Sequence, residues 1–202
     1  ITVTVSNASD SAGNLVGAPN SATAVGEGAV VPTTVTLPAL RDVTLYEDAG
    51  GTLANGAGAF LFAGQNEGGL TRRALVAFDI AGNVPATATI LEATLTLNNS
   101  DADDTSGSQT VDLLRAAQDW GEGASNAGDP GGAGAPSATN DATWIHTFFD
   151  TATWDTPGGD LDGGVRATTS VGGAGAYQWD STGMVADVQT WLDDSGTNFG
   201  WF

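Results

Sequence analysis

Ala74-Leu75-Val76-Ala77-Phe78-Asp79-Ile80 and Thr89-Ile90-Leu91-Glu92-Ala93-Thr94-Leu95-Thr96-Leu97 decide the fold class. Each is a short run of apolar and β-branched residues closed off by Gly, Asn, Asp or Pro, the pattern of a strand. Working outward, Phe60–Phe62 and Thr110–Arg115 repeat it. Val43 and Leu45 alternate before a Gly50-Gly51 turn, and Asn55-Gly56 marks another turn. Such spacing predicts an all-β chain: an antiparallel β-sandwich or jelly roll, occupying residues 41–202.

Ahead of that block the pattern thins. Ile1, Val3 and Val5 alternate with Thr2 and Thr4, a short strand, and a polar stretch follows from Ser6 to Asn20. Val30–Leu40 alternates again, but Pro32 and Pro38 confine any strand there to a sheet edge or to its own ends. Residues 1–40 therefore read as an N-terminal extension with isolated strands. Near the other end, Met184, Val185, Val188, Trp191 and Leu192 form one apolar stripe at helical spacing. Ser181 or Thr182 supplies the N-cap and Gly196 the stop, so one short α-helix is expected. Asp193 and Asp194 oppose its dipole. Burial of the Trp191 face has to hold the helix.

Composition removes several functions. The 202 residues carry 24 acidic and 5 basic side chains, a net charge of -19, and every basic residue is Arg. Without Lys there is no lysine-based covalent chemistry. Without a basic surface the chain does not neutralise nucleic-acid phosphates, and an anionic membrane repels it. No stretch is apolar enough to span a membrane. Cys is absent, which excludes disulfides, thiol catalysis and thiolate metal sites. A strongly acidic surface suits salty water, where self-repulsion is screened within about 10 Å or less. The chain starts at Ile1 rather than Met and reads as a processed, secreted chain, extracellular or at the cell surface.

Candidate sites follow from residue type. His146 is the only histidine, so neither a catalytic triad nor a multi-histidine metal site can be built. No motif singles out a pair of carboxylates for glycoside hydrolysis or lyase chemistry, and no enzyme is expected. Calcium is a candidate cofactor. Asp101, Asp103 and Asp104, then Asp119 with Glu122, then Asp160 and Asp162 before Gly163-Gly164, put carboxylates beside flexible backbone, as hard oxygen sites require. Six tryptophans are many for this length. Trp120, Trp154, Tyr177 and Trp179 lie near Gly-rich or acidic loops and are candidates for stacking on sugar rings, whereas Trp191 and Trp201 read as core. Arg72 and Arg73 point to opposite faces of one strand, and the inward one needs an acidic partner.

The run Thr71–Ile80, then Val84-Pro85 and Ile90–Leu97, resembles the first half of the DNRLRE-domain family. Asp119-Trp120-Gly121-Glu122-Gly123, Asp141-Ala142-Thr143-Trp144, Trp154 with Pro157-Gly158-Gly159-Asp160, Asp187-Val188-Gln189-Thr190-Trp191 and Asn198-Phe199-Gly200-Trp201 resemble the second half of a subgroup. The resemblance covers residues 40–202. It implies a secreted β-sandwich, related to modules that bind alginate, with an ordered loop over residues 121–142. It also implies further strands beyond the Gly-Trp segment, so a sandwich ending at Phe202 has an open edge. Ile1, Val3 and Val5 are then a candidate donor strand, within the chain or into a neighbour. Two functions follow as expectations. One is a non-catalytic extracellular module that binds polysaccharide or serves in the matrix. The alternative is a structural subunit that joins copies of itself into a filament by strand complementation.

Overall fold

The computed structural model describes residues 1–7, 32–100 and 107–202. Its strands are β1 (Thr2–Asn7), β2 (Thr33–Thr36), β3 (Arg41–Tyr46), β4 (Leu53–Asn55), β5 (Gly64–Gln65), β6 (Thr71–Ala77), β7 (Ala88–Asn99), β8 (Gln109–Ala116), β9 (Ala135–Pro136), β10 (His146–Phe148), β11 (Ala152–Thr153), β12 (Leu161–Val171) and β13 (Gly175–Asp180). One α-helix, α1 (Thr182–Asp193), is followed by a single 3-10 turn at Ser195–Thr197. The chain is an antiparallel, all-β sandwich with one short helix near its C-terminus, as the short bounded runs predict.

One sheet has the order β13-β7-β1-β2. The other contains β5-β6-β3-β4-β9 and, separately, β12-β8. The last residues join these two pieces. Trp201 and Val76 exchange both backbone hydrogen bonds at 2.9 Å, and Phe202 and Leu114 exchange theirs at 2.8 and 3.1 Å. Gly200–Phe202 thus lies between β6 and β8, antiparallel to both. Gly200 makes this approach feasible. Its φ is +75°, and a Cβ there would lie 2.1 Å from the Val76 carbonyl oxygen, a backbone atom that cannot swing aside.

The main core lies between the sheets. Val3, Ile90 and Leu95 meet Val76 and Leu113 across it, and Met184, Val188 and Trp191 of α1 close one end. A second core lies on the outer face of β3 and β6. There Val43, Leu45 and Leu75 are covered by Trp120 and Trp154 from the long connection between β8 and β12. The near-continuous apolar run of β6 has its cause here: Val76 faces one core, Leu75 and Ala77 the other.

Of residues 1–40, the structure describes 1–7 and 32–40. β1 lies inside its sheet, paired with β2 on one side and β7 on the other, and Val3 is fully buried. Thr2–Asn7 and Thr33–Thr36 supply two strands of the sandwich. Alternating apolar residues bury one face wherever a sheet offers it. The prolines act as expected: Pro32 and Pro38 flank β2, which is an edge strand.

α1 starts at Ser181, whose hydroxyl accepts the Met184 N–H at 3.0 Å. Such a cap is worth about 1 kcal/mol. The loop over residues 121–142 is held by buried Asp141, which accepts the Ala138 N–H at 2.5 Å and the Ser125 N–H at 3.2 Å.

Candidate functional site

Among the described residues, Gly200–Phe202 fills one end of the ladder between β6 and β8. Beyond Phe202 it continues as a cleft of about 730 Å³. β6 forms one wall with Arg73 and Ala74, and β8 forms the other from Leu114 back to Gln109. The floor is the main core itself: Leu95, Leu97 and Trp179 from the opposite sheet. β5 closes the far end on the β6 side, where Gly64 pairs with Arg72.

The walls present backbone as well as side chains. Val76 and Leu114 turn their N–H and C=O groups toward Gly200–Phe202. Antiparallel ladders alternate, so Ala74 on β6 and Asp112 and Thr110 on β8 turn theirs toward the same line. The other side of β8 is taken by β12, which pairs with it along its whole length. Among the described residues the cleft is therefore a slot with the Ala74, Asp112 and Thr110 backbone turned toward it and apolar core beneath. Open sheet edges are templates for pairing with another strand.

The aromatic residues expected to stack on sugars lie elsewhere than expected. Trp120 is 0% exposed and Trp154 and Trp179 are each 4% exposed. Their indole N–H groups donate to Phe199, Thr143 and Val111 carbonyls at 2.8 to 2.9 Å. A large apolar ring whose polar edge is satisfied gains most by burial, and such rings offer no face to a ligand. Tyr177 is half-buried, its hydroxyl donating to the Gly173 carbonyl at 2.8 Å. Trp120 and Trp154 belong to one core and Trp179 to the other, so the four form no common platform.

The candidate calcium carboxylates are dispersed too. Asp119 pairs with Arg41 at 2.6 Å. Glu122 accepts the Asp42 N–H at 3.1 Å, and burial together with the Glu122 charge pushes the Asp42 carboxyl up. Asp160 accepts the Asp155 and Thr156 N–H groups at 2.8 Å. Asp162 lies 3.4 Å from Arg115. Asp101, Asp103 and Asp104 lie outside the described residues. Among the described residues no three His, Asp or Glu side chains are grouped to hold a metal ion.

The arginines are all engaged within the fold. Arg41 lies over Trp120 and donates to its carbonyl. Arg72 is the buried one of its pair, yet among the described residues no acid lies within ion-pair distance of it. It lies 4.8 Å from the Tyr46 ring centroid and donates to the Thr71 carbonyl at 3.0 Å. A π-face and carbonyl oxygens replace the expected carboxylate. Arg73 lies over Trp144 and donates to the Gly158 carbonyl at 2.6 Å.

Burial pushes the Tyr46 hydroxyl up to about 12, with the Arg72 charge opposing the shift. In the unfolded chain this phenol titrates near 10. The neutral form therefore stabilises the fold below pH 10, and that contribution is lost as pH rises toward 12. In a Tyr177→Phe background, absorbance at 295 nm is expected to show no folded-state phenolate at pH 10.5. Half-titration at that pH would show that the ring is not buried as described.

One site residue escaped the sequence reading. Asp187 is 3% exposed. It accepts from Arg166 at 2.9 and 3.0 Å, from Arg115 at 3.4 Å and from the Trp201 indole at 2.9 Å. The signal was present: an acid at position 187 interrupts the apolar face formed by Met184, Val188 and Trp191. This cluster anchors the segment that enters the slot.

No helix among the described residues is long and apolar enough to cross a membrane. No family model, curated protein or solved structure matches this chain.

Proposed function

We propose that this chain is a non-catalytic structural module of an extracellular or cell-surface assembly, joined to its neighbour by a β-strand received in the slot between β6 and β8. The observation that carries this is the cleft itself: among the described residues β6 and β8 face each other across it over an apolar floor of Leu95, Leu97 and Trp179, and the one stretch seen bridging them, Gly200–Phe202, does so as a β-strand would. The extracellular setting rests on the charge of -19 and on the DNRLRE resemblance.

Carbohydrate binding has less support. The candidate indoles are buried, and all five arginines are engaged within the fold, so none is set aside for a polyanion such as alginate. His146 suits a structural role. Its Nδ1 lies 3.0 Å from the Thr143 hydroxyl, and its ring packs edge-on against Phe149 at 5.3 Å.

Thr110→Pro tests the reading. Its N–H faces the slot, so proline removes no bond to β12 but deprives an incoming strand of a donor. In about 1 M NaCl, where charges are screened within about 3 Å, the unmodified chain is expected to assemble and the variant to remain monomeric with an unchanged circular dichroism spectrum. Equal molar masses for the two chains would overturn the proposal.

A further inference from the structure

We infer that Asn98 is the acceptor of an N-linked glycan, added outside the cytoplasm, that covers the outer face of β7 and β13. This rests on the extracellular setting proposed above and not on the slot.

The pattern Asn-x-Ser, with a residue other than proline in the middle, stands at two places: Asn7-Ala8-Ser9 and Asn98-Asn99-Ser100. A glycan transferase reads this tripeptide, the amide as the nucleophile and the hydroxyl two residues on as the recognition contact. Ala8 and Ser9 lie outside the described residues. The second match is described throughout.

Asn98 and Asn99 are the last residues of β7. Leu95 and Leu97 of that strand pack on the main core. By the two-residue period, Thr96 and Asn98 point outward. Asn98 and Ser100 are both exposed. Across the ladder Asn98 lies opposite Ala176 of β13, which is exposed too. A methyl group there leaves the space above Asn98 open. Ser100 follows the end of the strand, so its hydroxyl is not held in the sheet.

Nearby asparagines show what the fold itself uses. Asn99 donates its amide to the Gly172 carbonyl at 2.9 Å and so ties the turn between β12 and β13 to the end of β7. Asn55 and Asn198 donate to the Phe60 and Phe78 carbonyls at 2.9 and 2.7 Å. Among the described residues the Asn98 side chain has no hydrogen-bond partner. Asn is disfavoured in strands. A structural bond accounts for Asn99, and nothing within the fold accounts for Asn98. A nucleophilic amide has to be accessible and uncommitted, and this one is both.

The co-reactant is an oligosaccharide joined through its anomeric carbon to a polyprenyl phosphate or diphosphate. The Asn98 Nδ2 attacks that carbon. A C–N bond forms, the bond from carbon to phosphate oxygen breaks, one amide proton passes to a base of the transferase, and the polyprenyl phosphate leaves. Nothing is oxidised or reduced. β13 is an edge strand, and exposed edges invite pairing with other chains. A bulky, hydrated glycan opposite Ala176 keeps other chains from stacking on this face.

The test is mass spectrometry of the chain isolated from the cells that produce it. Trypsin cuts only after Arg here, because the chain has no Lys. Asn98 therefore falls in the peptide 74–115 and Asn7 in the separate peptide 1–41. The 74–115 peptide is expected to carry the mass of an oligosaccharide, with fragmentation placing it on Asn98. Asn98→Gln and Ser100→Ala, made in the same cells, are each expected to lose that mass completely. Ser100→Thr is expected to keep it. All three are surface changes, and unchanged circular dichroism spectra show that any loss is not a folding defect.

An unmodified 74–115 peptide in chain recovered from the cell surface or medium would overturn the inference and leave the extracellular reading standing. Chain recovered unmodified from the cytoplasm alone would overturn both. A mass shift that survives Ser100→Ala would mean that the sugar is attached by other chemistry, and the inference would fail.

Discussion

Asp187→Ala is expected to destabilise the chain by about 3–5 kcal/mol, the range for removing one partner of a buried ion pair. The carboxylate is 3% exposed and serves three donors at once. Arg166 and Arg115 keep their charges when it goes, and the Trp201 indole N–H loses its acceptor 2.9 Å away. Asp162 remains 3.4 Å from Arg115, an ion pair without a hydrogen bond, and offsets only part of the loss. Asp187→Asn keeps an acceptor oxygen and is expected to cost less. Chemical denaturation of the three chains measures both differences. A loss below about 1 kcal/mol for the alanine variant would mean that the cluster is a solvated surface network.

Trp201→Ala is the second large effect, again about 3–5 kcal/mol. The ring is fully buried, with its centroid 4.5 Å from that of Trp191 and 6.4 Å from that of Phe78. Its backbone bridges β6 and β8, so loss of the side chain loosens that bridge. Trp201 and Asp187 share a hydrogen bond, and the double variant is expected to lose less than the sum of the single losses. A strictly additive result in denaturation would show that Asp187 does not hold the terminal segment in place.

Fold class was legible because short apolar runs ended in turn formers; Phe60–Phe62 is the exception, lying between β4 and β5 rather than in a strand. α1 was legible, with Ser181 taking the cap for which Thr182 was the alternative, but it ends at an Asp194 cap, ahead of the expected Gly196 stop. Less legible was where strands pair. Ile1–Val5 reads as a strand, but nothing local shows that β7 and β2 flank it, because pairing across 88 positions is a tertiary choice. The tryptophans misled for a related reason. Trp120 and Trp154 sit among Gly and acidic residues, which reads as a loop surface, yet that loop folds back to cover the outer face of β3 and β6. Neighbours in sequence say little about burial when a long loop supplies the lid. The acids misled similarly: carboxylates close in sequence serve separate partners, Asp160 a turn and Asp162 an arginine. An open edge was an expectation of the family resemblance alone, and the walls and floor of the slot between β6 and β8 came from the fold.

The central claim is that the slot between β6 and β8 receives a strand. Molar mass by light scattering, measured across concentration in about 1 M NaCl for the unmodified chain and for Thr110→Pro, tests it most directly. The account predicts a mass that rises with concentration for the first and a constant monomer mass for the second. A monomer mass for both at every concentration, or the same rise for both, would contradict it.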